Sequence, residues 1–182
     1  MTVSRHFPAA LLLIASSLAA RASLAEGLGP PLIPGYGEVT PVENAGERPD
    51  AGVDYKVVLN ATKGGADGAP PPFLDKAAKV ANLLAQSGVP AAHRHVVVIM
   101  QAAATMAVLN EKGLKAHGLA RNSSADLIAK LKAAGVSVRV CGQALAAAKI
   151  ARDEVLPDVQ VDLSALTTVA ALQLRGYALL VD

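Results

Sequence analysis

The apolar positions of this chain change their period several times between residue 55 and residue 181. Residues 55–61 (YKVVLNA) form a short apolar run, which predicts a first strand. Leu74, Ala77, Ala78, Ala81, Leu84 and Ala85 then recur at spacings of three and four, the stripe of a helix ended by Ser87-Gly88. Residues 96–100 (VVVIM) are continuously apolar, as in a central parallel strand covered on both faces. Residues 102–109 are small and apolar and predict a closely packed helix. Residues 122–134 predict a second amphipathic helix. Ser123-x-x-Asp126 looks like a capping box at its start, and Gly135 stops it.

Val136, Val138 and Val140 alternate with Ser137 and Arg139, a strand that stops at Cys141-Gly142. A short helix over residues 143–150 follows. Val159, Val161 and Leu163 alternate again, nearer a sheet edge. Ser164 caps a helix running to about Arg175, ended by Gly176, and residues 177–181 close the chain as a strand. Strands alternating with helical crossovers predict an α/β fold: a parallel sheet of about five strands with helices on both faces.

The ends of the chain read differently. Residues 1–25 have Arg5 and His6, an apolar run from Ala9 to Ala20, Arg21, and the small-x-small triplet Ser23-Leu24-Ala25. This is the pattern of a cleaved secretion signal, too short for a membrane span of about 20 residues. An exported, periplasmic or secreted chain is expected, with no membrane attachment after cleavage. Residues 26–52 hold Pro30, Pro31, Pro34, Pro41 and Pro49 with several glycines, and predict a linker or loosely draped arm before a domain at 53–182.

Composition narrows the function. Hydrophobic residues make up 52% of the 182, enough for one core, but aromatics are 3% and Trp is absent. Few rings are available for stacking bases or sugars. Residues 1–25 contain Arg5 and Arg21 and no acid, and without them basic and acidic residues balance. Nothing in the charge favours nucleic acid. No P-loop spacing and no G-x-S-x-G elbow occurs, and Gly35-x-Gly37 precedes no helix, so no cofactor is expected. His93-x-His95 would put two imidazoles on one strand face, but a metal site needs further ligands, and no metal is expected. The glycine-rich loop after the first strand (Lys63, Gly64, Gly65, Gly68) is a lesser candidate for cradling an anion.

One cysteine, Cys141, excludes an internal disulfide. It stands beyond the carboxyl end of a strand and before a helix, where α/β sheets place their reactive crevices. The amino end of a helix favours a thiolate, and Gly142 adds no side chain beside it. The expectation is a sulfur atom open to small molecules at this handover. Gly142, Gln143, Gln101, Asn60 and Lys63 are the candidate binding residues around it.

Three segments carry a resemblance: Ala133-Ala-Gly-Val-Ser-Val-Arg-Val-Cys-Gly-Gln-Ala-Leu145, Asp153-Glu-Val-Leu-Pro157 and Leu172-Gln-Leu-Arg-Gly-Tyr177. In order and spacing the chain resembles the DsrE/DsrF-like, sulfur-relay family, more loosely back to Tyr55. The resemblance implies a flavodoxin-like fold and homo-oligomers, often trimers or hexamers. It also implies a Cys at position 141 that carries sulfur as a persulfide between donor and acceptor proteins. Residues 162–168 (DLSALTT) depart from the Ser-Gly-Val element common in exported relatives. The competing reading is a non-catalytic assembly or binding module of the same fold.

Overall fold

The computed structural model describes residues 29–66 and 69–181. The expected signal segment, residues 1–25, lies outside the described residues. In chain order the elements are β1 (Tyr55–Ala61), α1 (Pro72–Gln86), β2 (Arg94–Met100), α2 (Glu111–Ala116), α3 (Ala125–Ala133), β3 (Ser137–Cys141), α4 (Gly142–Ala147), β4 (Gln160–Asp162), α5 (Ala165–Leu174) and β5 (Ala178–Val181). The five strands form one sheet in the order β4-β3-β2-β1-β5. Every pairing is parallel.

This order explains the layering. The steps β1 to β2 to β3 to β4 all run one way across the sheet, so crossovers of one hand stay on one face. The jump from β4 back to β5 runs the other way and carries α5 over the opposite face. Period-two alternation then sorts the strand residues between two cores. Leu59, Val96, Val98, Met100, Val138 and Val140 join α1 and α3 in a large first cluster. Val58, Val97, Ile99 and Cys141 join Ala165 and Leu172 of α5 in a smaller second one.

Several local expectations change. Residues 102–108 are wound as a 3-10 helix, starting from Ala102 at φ 49°. The start of α3 is held by Asn122, whose Oδ1 accepts from Ser124 N at 2.8 Å; Ser124 makes no side-chain cap. Helix α2 was not foreseen. Asn110 caps it by accepting from Gly113 N, and Gly113 is required because a Cβ there would lie 2.5 Å from the carbonyl oxygen of Glu154.

The proline-rich segment is not loose throughout. Ile33 is fully buried in the first cluster, and the backbone of residues 33–37 is hydrogen-bonded to Asn82 of α1. Composition forbids helix or strand there, but it does not forbid docking onto a neighbouring helix.

Candidate functional site

The carboxyl ends of β3 and β4 form a topological switch. After Cys141 the chain turns into α4, whose Leu145 enters the first cluster; after Asp162 it turns into α5 on the second face. Connections that diverge from adjacent parallel strands leave a crevice between them. Cys141 and Asp162 are paired across it in register. Gly142 is fixed by this closeness, since a Cβ would stand 2.7 Å from the carbonyl oxygen of Asp162. Gln143 bridges the same gap, donating from Nε2 to the carbonyl of Leu163 at 3.4 Å.

Asp162 is the electrostatic centre of the crevice. Its Oδ2 accepts from Thr168 Oγ1 at 3.0 Å and faces Arg139 Nη1 at 3.4 Å. Its Oδ1 accepts from Gln160 Nε2 at 2.6 Å. Arg139 is steadied from the other side, its Nε donating to Ser137 Oγ at 3.1 Å. Three elements, β3, β4 and α5, are thus tied at one carboxylate. Beside it lies a cavity of about 310 Å³, lined by Arg139, Asp162, Thr167, Thr168, Leu172 and Arg175 among others.

The thiol does not lie open as expected. Cys141 is 5% exposed and packs among Val58, Val97, Ile99, Ala165 and Leu172. The cause is α5, which returns over this face and lays Ala165 and Leu172 on the sulfur's side of the sheet. Cys141 occupies the N-cap position of α4 but makes no side-chain capping hydrogen bond. A buried thiol in such surroundings reacts only when its cover moves.

The other candidate residues divide. Asn60 and Gln101 are brought together, Gln101 Nε2 donating to Asn60 Oδ1 at 2.7 Å, at the ends of β1 and β2. Gly142 and Gln143 meet the end of β4. Lys63 stands farther along the chain, in the loop after β1. Gly64 of that loop approaches the 102–108 helix, where a Cβ would be 3.3 Å from Ala103 O. His93 and His95 lie at the opposite, amino edge of the sheet, with Asp54 Oδ1 at 4.0 and 3.7 Å. Among the described residues no group of three or more His, Cys, Asp or Glu side chains is placed to hold a metal ion. Reasoning from sequence missed Arg139, Asp162 and Thr168 as a unit. The one signal was that residues 162–168 depart from the family pattern.

The model of the DsrE/DsrF-like family matches residues 57–181, more than half of the sequence. The chain belongs to the DsrE/DsrF-like family. Its fold is similar to that of a protein of unknown function, MTH1491 from Methanobacterium thermoautotrophicum, at TM-score 0.55 and 19% identity, covering 71% of this chain and 100% of that one. It is also similar to the ychN protein from E. coli, at TM-score 0.51 and 16% identity, covering 70% and 99%. At these identities the likeness is one of fold. No curated protein matches the chain. The family match starts within β1, and the docked residues 33–37 lie before it.

Proposed function

We propose that this protein is an exported sulfur carrier that holds sulfur as a persulfide on Cys141 and works as a homo-oligomer, a trimer or hexamer. The observation that carries the reading is the position of the chain's single thiol: it ends β3 at the β3–β4 crevice of a DsrE/DsrF-like domain, directly across from Asp162. The chemistry is a displacement on sulfur. The Cys141 thiolate attacks a terminal sulfur of a polysulfide, the adjacent S–S bond breaks, and the shortened polysulfide leaves with the electron pair. Because the thiol is covered, Ala165 and Leu172 of α5 must shift for the donor to reach it, a motion the isolated protein makes by itself. Self-association is supported by Leu163, Leu166 and Leu174, which are 75%, 78% and 90% exposed on or beside α5. Large apolar side chains left this exposed along one element are what a subunit contact would cover.

The test is to treat the folded protein with polysulfide and weigh it. Gain of sulfur mass in the native protein, abolished by Cys141→Ser, is the expected result. If the native protein stays unmodified while the urea-unfolded chain reacts, the carrier reading fails. Burial of the thiol to 5% favours one alternative, a non-catalytic assembly module in which Cys141 only fills space. That reading predicts that Cys141→Ala keeps both assembly and cellular activity.

A further inference from the structure

The domain carries a second built feature, on the other face of the sheet from Cys141. Asn82 of α1 is fully buried, in the middle of an otherwise apolar helix face. Its amide is spent on one segment 45–49 residues earlier in the chain. Oδ1 accepts from Ile33 N at 2.8 Å, and Nδ2 donates to the carbonyls of Tyr36 at 3.0 Å, Gly37 at 3.1 Å and Ile33 at 3.4 Å. Under that segment the amide is out of water, where leaving it unpaired would be costly, and the segment's own main chain supplies its partners. The helix is therefore made to hold another stretch of main chain.

The rest of the groove agrees. Asp75 Oδ1 accepts from Gly37 N at 2.9 Å. Gly37 has φ 59°, and a Cβ there would stand 2.2 Å from Lys79 N, so only glycine can pass α1 at this point. Ile33 fills an apolar slot to complete burial. On α3, Lys130 places its ammonium 5.0 Å from the centroid of the Tyr36 ring and reaches Pro34 O at 3.4 Å, while Asp126 Oδ2 accepts from the Tyr36 phenol at 3.0 Å. A cavity of about 490 Å³ remains between residues 35–39 and α1 at Asp75, Asn82 and Gln86, so the groove is wider than its occupant. The occupant lies outside residues 57–181, the family domain that supplies α1 and α3.

We infer that the α1–α3 groove is a peptide-binding site that reads main chain through Asn82 and Asp75, and that residues 30–37 of this chain are its built-in ligand. The peptide class it takes has an apolar anchor followed by Pro-Gly-aromatic-Gly, the order Ile33-Pro-Gly-Tyr-Gly37. This inference stands apart from sulfur chemistry at Cys141.

The experiment inserts a protease site between the exposed residues Gly46 and Glu47 of the full chain and cuts the folded protein there. The N-terminal piece is expected to co-elute with the domain on gel filtration, and to be displaced by excess synthetic peptide of residues 29–40. Gly37→Val in the same cut protein is expected to lose co-elution while the domain keeps its circular dichroism. Tyr36→Ala, a milder change at the surface, is expected to speed dissociation without abolishing binding. If the unaltered piece separates on cutting, or the Gly37→Val piece stays bound as well as the unaltered one, the groove is not a peptide site. Sulfur loading at Cys141 is read separately by mass, so either proposal can fail without the other.

Discussion

The two faces of the sheet are built to different standards. The first is covered by α1, α3 and the 102–108 helix, and sealed at its rim by residues 30–37; its cluster holds most of the fully buried large side chains, Leu59, Leu74, Met100, Leu127, Ile128 and Leu131 among them. The second is covered mainly by α5, and its cluster of buried residues is six side chains. The polar trio Arg139, Asp162 and Thr168 borders it. A deep, closed core supplies stability, and a thin, partly polar one can open. The thiol is on the thin side, under the cover that has least to lose by moving.

The largest effect that tests this contrast is truncation on the thick side. Leu127→Ala should cost about 3–5 kcal/mol, because its cavity is walled by helices and sheet that cannot settle into it. Leu172→Ala removes the same atoms on the thin side and should cost nearer to about 2 kcal/mol, since α5 can sink toward the strands. It should also speed alkylation of Cys141. Urea unfolding and thiol-trapping rates check both. Equal costs, with an unchanged trapping rate, would mean that the faces do not differ as described.

Next in size is Asp162→Asn. It leaves the half-buried Arg139 without its counter-charge while keeping shape, and should cost about 1–2 kcal/mol. The loss falls on the tie between β4 and α5, so trapping of Cys141 should accelerate more than global stability falls. If stability drops and trapping does not change, Asp162 holds the fold but does not hold the cover. Smaller still is Leu166→Ser with Leu174→Ser. These exposed side chains should change monomer stability by less than about 0.5 kcal/mol. The pair should nonetheless lower the measured mass of the assembly in light scattering. An unchanged mass would remove α5 from the proposed interface.

The sequence made one side of this contrast easier to read than the other. Strand and helix order followed from period changes, because burial imposes those periods directly, and the Ser164 cap was found where read, accepting from Leu166 N at 3.2 Å. Position 141 was legible as the end of a strand. Its exposure was not, because what covers it comes from α5, more than 20 residues on, through a crossover whose face depends on strand order. Helix α2 was hidden by its length of six residues and by Gly113, whose reason is a contact with Glu154 that no local pattern encodes. The docking of residues 30–37 left one trace: Asn82, a polar residue set among the apolar positions of α1. A segment's composition describes its own conformational preferences; the partner that fixes it is written elsewhere in the chain.

The smallest effect concerns the latch at the rim of the thick face. Asp126 accepts from Lys130 Nζ at 2.8 Å and from the Tyr36 phenol. The Lys130 hydrogen bond first, then that of Tyr36, hold the Asp126 carboxyl below its ordinary value of 3.8. A depressed folded-state value means that the latch's contribution is present above pH 3.8 and is lost as pH falls through the depressed value. All three groups are at the surface, so the effect is small and screened by salt. Asp126→Asn should therefore lower the thermal midpoint slightly at neutral pH, and the gap from the unaltered protein should close in acid. Added salt should narrow it as well. If no gap opened at neutral pH, the latch would rest on the packing of the Tyr36 ring against Lys130, which the substitution leaves in place.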